Sequence, residues 1–147
     1  MSESSLRLRG ADFEALEYVE TLLAAADLPV EDVRSNPEWF YVAFDGDDRV
    51  GIGGIEPAGD DALLRSVVVE ECVRGRGYGG ALRAALDAKA RSDGVDTLYL
   101  LTTTAADFFA EGGYAVIDRE EAPDAVRETR EFAEFCPSTA TCMKKSL

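Results

Sequence analysis

The chain has 147 residues, 46% apolar and 30% charged, which suits one globular domain spanning 1–147 with a real core. Fifteen basic residues against 29 acidic ones give a net charge of −14, which argues against a nucleic-acid partner. No run reaches the roughly 18 apolar residues of a membrane span. The opening Met1-Ser2-Glu3-Ser4-Ser5 lacks the parts of a secretory signal, so a cytoplasmic protein with no membrane partner is expected.

In chain order, Ser5 to Arg9 reads as a first strand. Asp12 is placed as the N-cap of a helix to about Ala26, with Phe13, Leu16, Val19, Leu22, Leu23 and Ala26 on one face. A short helical turn is expected near Val30 to Arg34, after Pro29. Trp39 to Phe44 and Val50 to Ile55 read as a hairpin around Asp45-Gly46-Asp47-Asp48, whose residues tolerate positive φ. A third strand, Ala62 to Val69, ends in the β-branched run Val67-Val68-Val69. A glycine-rich turn follows, then a helix from about Gly77 to Ser92 with Ala81, Leu82, Ala85 and Leu86 inward and Gly94 at its end.

Val95 to Leu101 reads as a further buried strand, and Phe108 and Phe109 fall in a short helix stopped by Gly112-Gly113. Tyr114 to Ile117 is a strand, Pro123 opens a helix to about Glu134, and Thr139 to Lys144 closes the sheet. Strand, helix and strand between Ala62 and Leu101 predict a right-handed parallel crossover. The expected class is therefore α/β, a mixed sheet with helices on both faces.

Charge is uneven along this chain. Residues 62–91 hold six basic and three acidic side chains, a net of +3, so the remainder carries −17. A locally basic stretch in an acidic protein predicts an anionic ligand there. Within it, Arg74-Gly75-Arg76-Gly77-Tyr78-Gly79-Gly80 places four glycines where a strand feeds a helix. Glycines let backbone N–H groups approach a ligand, and the helix end behind them adds unsatisfied donors, so the turn suits a pyrophosphate. A plain helix-capping turn is the bland alternative. Gly75, Gly77 and Gly80 also satisfy G-x-G-x-x-G, but five residues separate the strand run from the first glycine. No ribose-binding acid follows the next strand, and no Gly-Lys-Ser/Thr of a P-loop occurs.

Arg74-x-x-Gly77-x-Gly79 resembles the R/Q-x-x-G-x-G/A signature of the Gcn5-related N-acetyltransferase (GNAT) superfamily. Ala105 to Tyr114 is similar to its A-x-x-F-Y-x-x-x-G-F segment, and the element order matches from the Ser5 strand to the Thr139 strand. The resemblance implies a mostly antiparallel sheet with one parallel pair splayed for acetyl-CoA, and transfer of the acetyl group to a small-molecule amine. It implies that backbone groups of Val67, Val68 and Val69 hold the pantetheine arm. The amides of Gly75, Arg76, Gly77, Tyr78, Gly79 and Gly80, with Arg74, would hold the pyrophosphate, and Phe109 would lie beside the cofactor. A monomer or homodimer is implied.

The sequence departs from that pattern at the chemistry. The family's tyrosine, which protonates the departing thiolate, is replaced by Phe109, and its asparagine by Thr102. Tyr114 and Thr102 are the candidate stand-ins for the acid, with Thr103 and Thr104 beside the latter. Glu56 and Glu70 are the candidate bases, with Glu71 next to the second; Ser66 qualifies only if it faces the slot. The chain has no histidine, which removes the commonest general base and metal ligand, and no metal site is expected. Without the tyrosine, a non-catalytic acetyl-CoA sensor of the same fold is the competing reading.

The C-terminal segment from Glu121 to Phe132, with Phe135-Cys136-Pro137 and Cys142-Met143, resembles the arsenic-resistance N-acetyltransferase branch, implying a helix over the acceptor site. Arg127 and Arg130, three apart, suit an oxyanion if they do not serve Glu128 and Glu131. Cys136 and Cys142 suit a soft metalloid if they are not ordinary core thiols. With Cys72 they number three, and the cytosol keeps thiols reduced. Only three of the fifteen basic residues are lysines, and this arginine-rich, acidic balance predicts adaptation to high salt.

Overall fold

The computed structural model describes residues 6–28, 30–31, 33–129, 132 and 140–147. Strands β1 (Arg7–Gly10), β2 (Phe40–Asp45), β3 (Asp48–Ala58), β4 (Asp61–Val69), β5 (Thr97–Thr102), β6 (Ala115–Ile117) and β7 (Thr141–Ser146) form one sheet. Helices α1 (Phe13–Ala25), α2 (Tyr78–Ser92), α3 (Ala106–Glu111) and α4 (Asp124–Arg127) flank it. The strand order is β1-β2-β3-β4-β5-β7-β6. Every neighbouring pair is antiparallel except β4–β5, which is parallel, as the crossover through α2 predicts.

Local chemistry explains most boundaries. Asp12 caps α1, its carboxylate accepting from the Ala15 amide at 2.9 Å. Leu16, Val19 and Leu23 then pack with Phe40, Val42, Ile52 and Val68 on one face of the sheet. Phe13, expected on that stripe, is 80% exposed; it opens the helix and its ring meets the Arg34 guanidinium at 5.7 Å. On the opposite face Leu82, Leu86 and Ala90 of α2 pack on Ala43, Val50, Leu64, Leu98, Leu100 and Met143. A third cluster joins Val126 of α4 and Phe132 to Leu63, Tyr99 and Cys142. Leu63 lies two residues from Arg65, whose guanidinium sits over Phe40, so α4 shares the face of α1.

Pro123 is the N-cap of α4 rather than its first residue, and α4 runs to Arg127; the expected end at Glu134 lies outside the described residues. Arg130, Cys136 and the Thr139 start of the last strand lie outside the described residues, as do Ser5 and Pro29.

Candidate active site

The site begins with a defect in β4. Between Ile52 and Gly54 of β3 the register against β4 slips, so that Ser66 and Val67 together oppose Gly53. This is a β-bulge, and Ser66 takes it up with φ +61°, a conformation L residues seldom adopt. On its other side β4 pairs with β5 only at Ala62 and Leu63. Beyond that point the two parallel strands separate.

Into the gap opens a cleft of about 280 Å³ lined by Val67, Val69, Arg74, Gly75, Tyr78, Gly79 and Phe108. Val67 and Val69 form its strand wall. Val68 turns its side chain to the α1 face, so of this trio it can offer the cleft only its backbone. A short 3-10 turn, Glu71–Val73, leads from β4 to the glycines. Gly75 and Gly77 both have φ near +85°, and Gly77 is the N-cap of α2. The helix thus starts within a residue of the expected Gly77, and Gly79 and Gly80 belong to the first turn of α2. Arg74 donates from Nε to the Val69 carbonyl at 3.2 Å, which holds it at the cleft mouth. Arg76 is exposed beside Tyr78. The Tyr78 hydroxyl donates to Asp45 of the β2–β3 hairpin, and that bond raises its pKa, so it is no acid for chemistry here.

The basic stretch is less available than its net charge implies. Arg65 is buried against Glu56, Arg83 donates to the Phe108 carbonyl, and Lys89 pairs with Asp93. Arg74 and Arg76 are the two that remain at the turn.

Two aromatic expectations need correction. Phe108, not Phe109, lines the cleft; Phe109 is in the core, edge-to-face with Tyr114 at 5.6 Å. Tyr114 is buried too. Its hydroxyl donates to Asp87 Oδ1 at 2.7 Å, and burial with that bond drives its pKa far above the ordinary phenol value. A proton so held is not released to a thiolate, so Tyr114 is not the acid. Asp87 is also held by Lys145 Nζ at 2.7 Å, which bonds the Gly112 carbonyl at 2.8 Å.

The carboxylate candidates separate as well. Glu56 is buried, with Oε1 accepting from Arg65 Nη1 at 2.9 Å, on the sheet face opposite α2. Ser66 Oγ accepts from Arg65 Nε at 3.4 Å, so its hydroxyl faces that pair. Glu70 is half-buried at the end of β4 beside Tyr18, whose buried hydroxyl has no bond of good geometry among the described residues. Burial, then the Glu70 carboxylate beside the hydroxyl, push the Tyr18 pKa up. Thr102 ends β5, and its Oγ1 accepts from the Ala105 amide at 3.0 Å, capping the turn into α3. Arg127 pairs with Asp124 at 2.8 Å, not with Glu128. Cys142 is a buried thiol whose pKa burial pushes up, which fits a core residue; among the described residues no group of His, Cys, Asp or Glu suits a metal.

Two residues of the site escape sequence reasoning. Phe108 is one phase step from the expected ring, and Arg83 carries no sequence signal beyond its charge. The close approaches at Gly79 and Gly112 that mark them appear only in three dimensions.

A family model described as acetyltransferase (GNAT) domain matches residues 36–116, more than half of the chain, and the chain belongs to that family. It is an acyltransferase whose co-substrate is acetyl-CoA. Among solved structures it is similar to Rv2747 from Mycobacterium tuberculosis in complex with CoA (TM-score 0.79, 21% identity, 96% of this chain and 99% of that one). It is also similar to N-acetylglutamate synthase from Neisseria gonorrhoeae with coenzyme A and N-acetyl-glutamate (TM-score 0.83, 19% identity, 97% of this chain), of which it spans 35%. A GNAT-family acetyltransferase from Staphylococcus aureus Mu50 has a TM-score of 0.75 at 14% identity, over 97% of this chain and 99% of that one. At such identities the likeness is one of fold. No curated protein matches.

Proposed function

We propose that this chain, as a single domain acting in the cytoplasm as a monomer or homodimer, transfers acetyl from acetyl-CoA to the nitrogen of a small-molecule amine. The observation that carries the proposal is the parting of β4 from β5 after two residue pairs, with a valine-walled cleft ending at Arg74 and positive-φ glycines. The residues present fit the co-substrate. The freed edge of Val67, Val68 and Val69 offers backbone partners to the pantetheine amides. Amides from Gly75 to Gly80, the start of α2 and the Arg74 and Arg76 guanidiniums suit the pyrophosphate.

Acetyl-CoA supplies a thioester carbonyl that a neutral amine can attack. The chain's own contribution is positioning, which brings amine and thioester together on the β4 edge. Glu70 serves as base, through a water, because Glu56 is committed to Arg65. Thr102 supplies the remaining hydroxyl near the end of β5. The C-terminal resemblance supports an acceptor connected with arsenic or xenobiotic resistance. Low yield of product would favour the sensor alternative, whose support is that Tyr78, in the cleft wall, and Tyr114, the candidate acid, both donate to aspartates.

The test is titration calorimetry with acetyl-CoA, followed by thiol release over a panel of amines. Saturable binding is expected, weakened about tenfold by Arg74→Gln at low salt, with the loss shrinking as salt rises. Binding indifferent to Arg74 and to Gly79→Val would place the co-substrate elsewhere. Binding without turnover on any amine would replace the enzyme by the sensor.

A further inference from the structure

We propose that Arg83 is a positioning residue that sets Phe108 as the far wall of the acetyl-CoA cleft, and that it does so without touching the co-substrate. This rests on the reading of the cleft given above.

Gly79 and Arg83 are four residues apart on α2 and so share one face. The Phe108 ring lies on Gly79: a Cβ built there would stand 3.3 Å from the ring's Cε1, tighter than an ordinary contact. The Arg83 guanidinium is 4.5 Å from the centre of the same ring and donates from Nη1 to the Phe108 carbonyl. To reach that point it passes over Gly112, where a Cβ would fall 2.3 Å from Arg83 Nε. Two glycines and one arginine thus form a seat for one phenyl ring.

The seat has work to do because α3 is weak by itself. It has six residues and no side-chain N-cap, so its own hydrogen bonds do not fix which of its two adjacent rings meets the cleft. Phe109 is anchored in the core and meets Phe108 edge-to-face at 5.0 Å, and α2 supplies the rest of the seat for the Phe108 ring. A flat guanidinium can stack on the ring and bond its carbonyl at once; an ammonium cannot do both in one plane. The ion pairs among the described residues do not include Arg83, so the ring and the carbonyl are its partners there. It is also part-buried, turned toward α3 rather than outward like Arg76.

The experiment is a double-mutant cycle on the full chain with Arg83→Met, Phe108→Ala and the double variant, read as CoA affinity by calorimetry. Each single change should weaken CoA about tenfold, and the double should be no weaker than Phe108→Ala alone, because both remove one wall. The Arg83→Met loss should persist unchanged between low and high salt, unlike that of Arg74→Gln. The KM for the acceptor should not move. Additive losses, or a loss that fades with salt, would mean that Arg83 meets a phosphate directly and would overturn the proposal. Unchanged affinity in Arg83→Met, with Phe108→Ala still weak, would overturn it too. Indifference of CoA to Phe108→Ala would remove the cleft reading itself. If Arg83→Met does not fold, Gly112→Ala, which displaces the guanidinium while keeping it in the chain, should give the same salt-independent loss; full CoA affinity in that variant would again overturn the proposal.

Discussion

Glu56 and Glu70 are equivalent candidates in the sequence and end in different surroundings. Glu56 and Arg65 have 8% and 0% of their side chains exposed, and removing one partner of such a pair strands the other charge. Glu56→Ala should therefore lower stability by about 3–5 kcal/mol in denaturant titration. Glu70→Gln should leave the midpoint nearly unchanged and lower kcat/KM about 10²- to 10⁴-fold, as expected for a lost general base. Exchange of these two outcomes would exchange their roles. The cysteines divide in the same manner: Cys72 is exposed and Cys142 buried with its pKa raised. Alkylation of the native protein, mapped by peptide mass, should mark Cys72 at once and Cys142 only after unfolding.

At the scale of elements, α3 is tethered at its middle by Arg83 to the Phe108 carbonyl and at its C-terminal end by Lys145 to that of Gly112. Tyr114 joins this frame through Asp87. Its folded pKa lies above its unfolded one, so its contribution to stability is complete below about pH 10 and is lost as pH climbs further. Tyr114→Phe should destabilise by about 1.5–3 kcal/mol at neutral pH and flatten the alkaline fall of the melting temperature. The fall persisting in full would assign it to other groups. Much of this architecture is legible in the sequence, because α1 and α2 are long enough for apolar spacing to define a face, and the strands are bounded by Asp-Gly and glycine turns. α3 is not. Over six residues, adjacent phenylalanines about 100° apart cannot be phased by periodicity, and Phe108 is selected by tertiary packing, on Phe109, Gly79 and Arg83. Phe13 lies off the buried stripe as the first residue of α1, where it is 80% exposed.

Across the whole molecule, charge is the dominant sequence signal and the one most altered by folding. The basic excess of residues 62–91 is largely absorbed by Glu56, Asp93 and a carbonyl, whereas the acidic excess stays outside. We propose that the chain is adapted to high salt; its melting temperature should rise by about 5 °C or more from 0.05 to 1 M KCl as repulsion is screened. A flat response would remove that reading. Asp61 is a local instance: burial, then Asp96, raise its pKa, so its stabilising form is the protonated one, present at low pH and lost on ionisation. Asp61→Asn should raise the melting temperature at neutral pH and low salt, and the gain should vanish below about pH 4.

The place of β7 in the sheet also bears on the order of events during synthesis. β7 is the last strand in the chain, yet it lies between β5 and β6, pairing with both. Until it leaves the ribosome, β5 has an open edge and β6 has no neighbour, so strands β1 to β5 can assemble while the remainder waits. Lys145, on that same strand, is what fastens Gly112 at the end of α3. The Phe108 wall is therefore completed after the glycine turn it faces, and a nascent chain stalled before Thr141 should hold a hairpin-rich core that is open to chaperones. Limited proteolysis of such a stalled chain should cut between β5 and α4 while sparing β2 to β4.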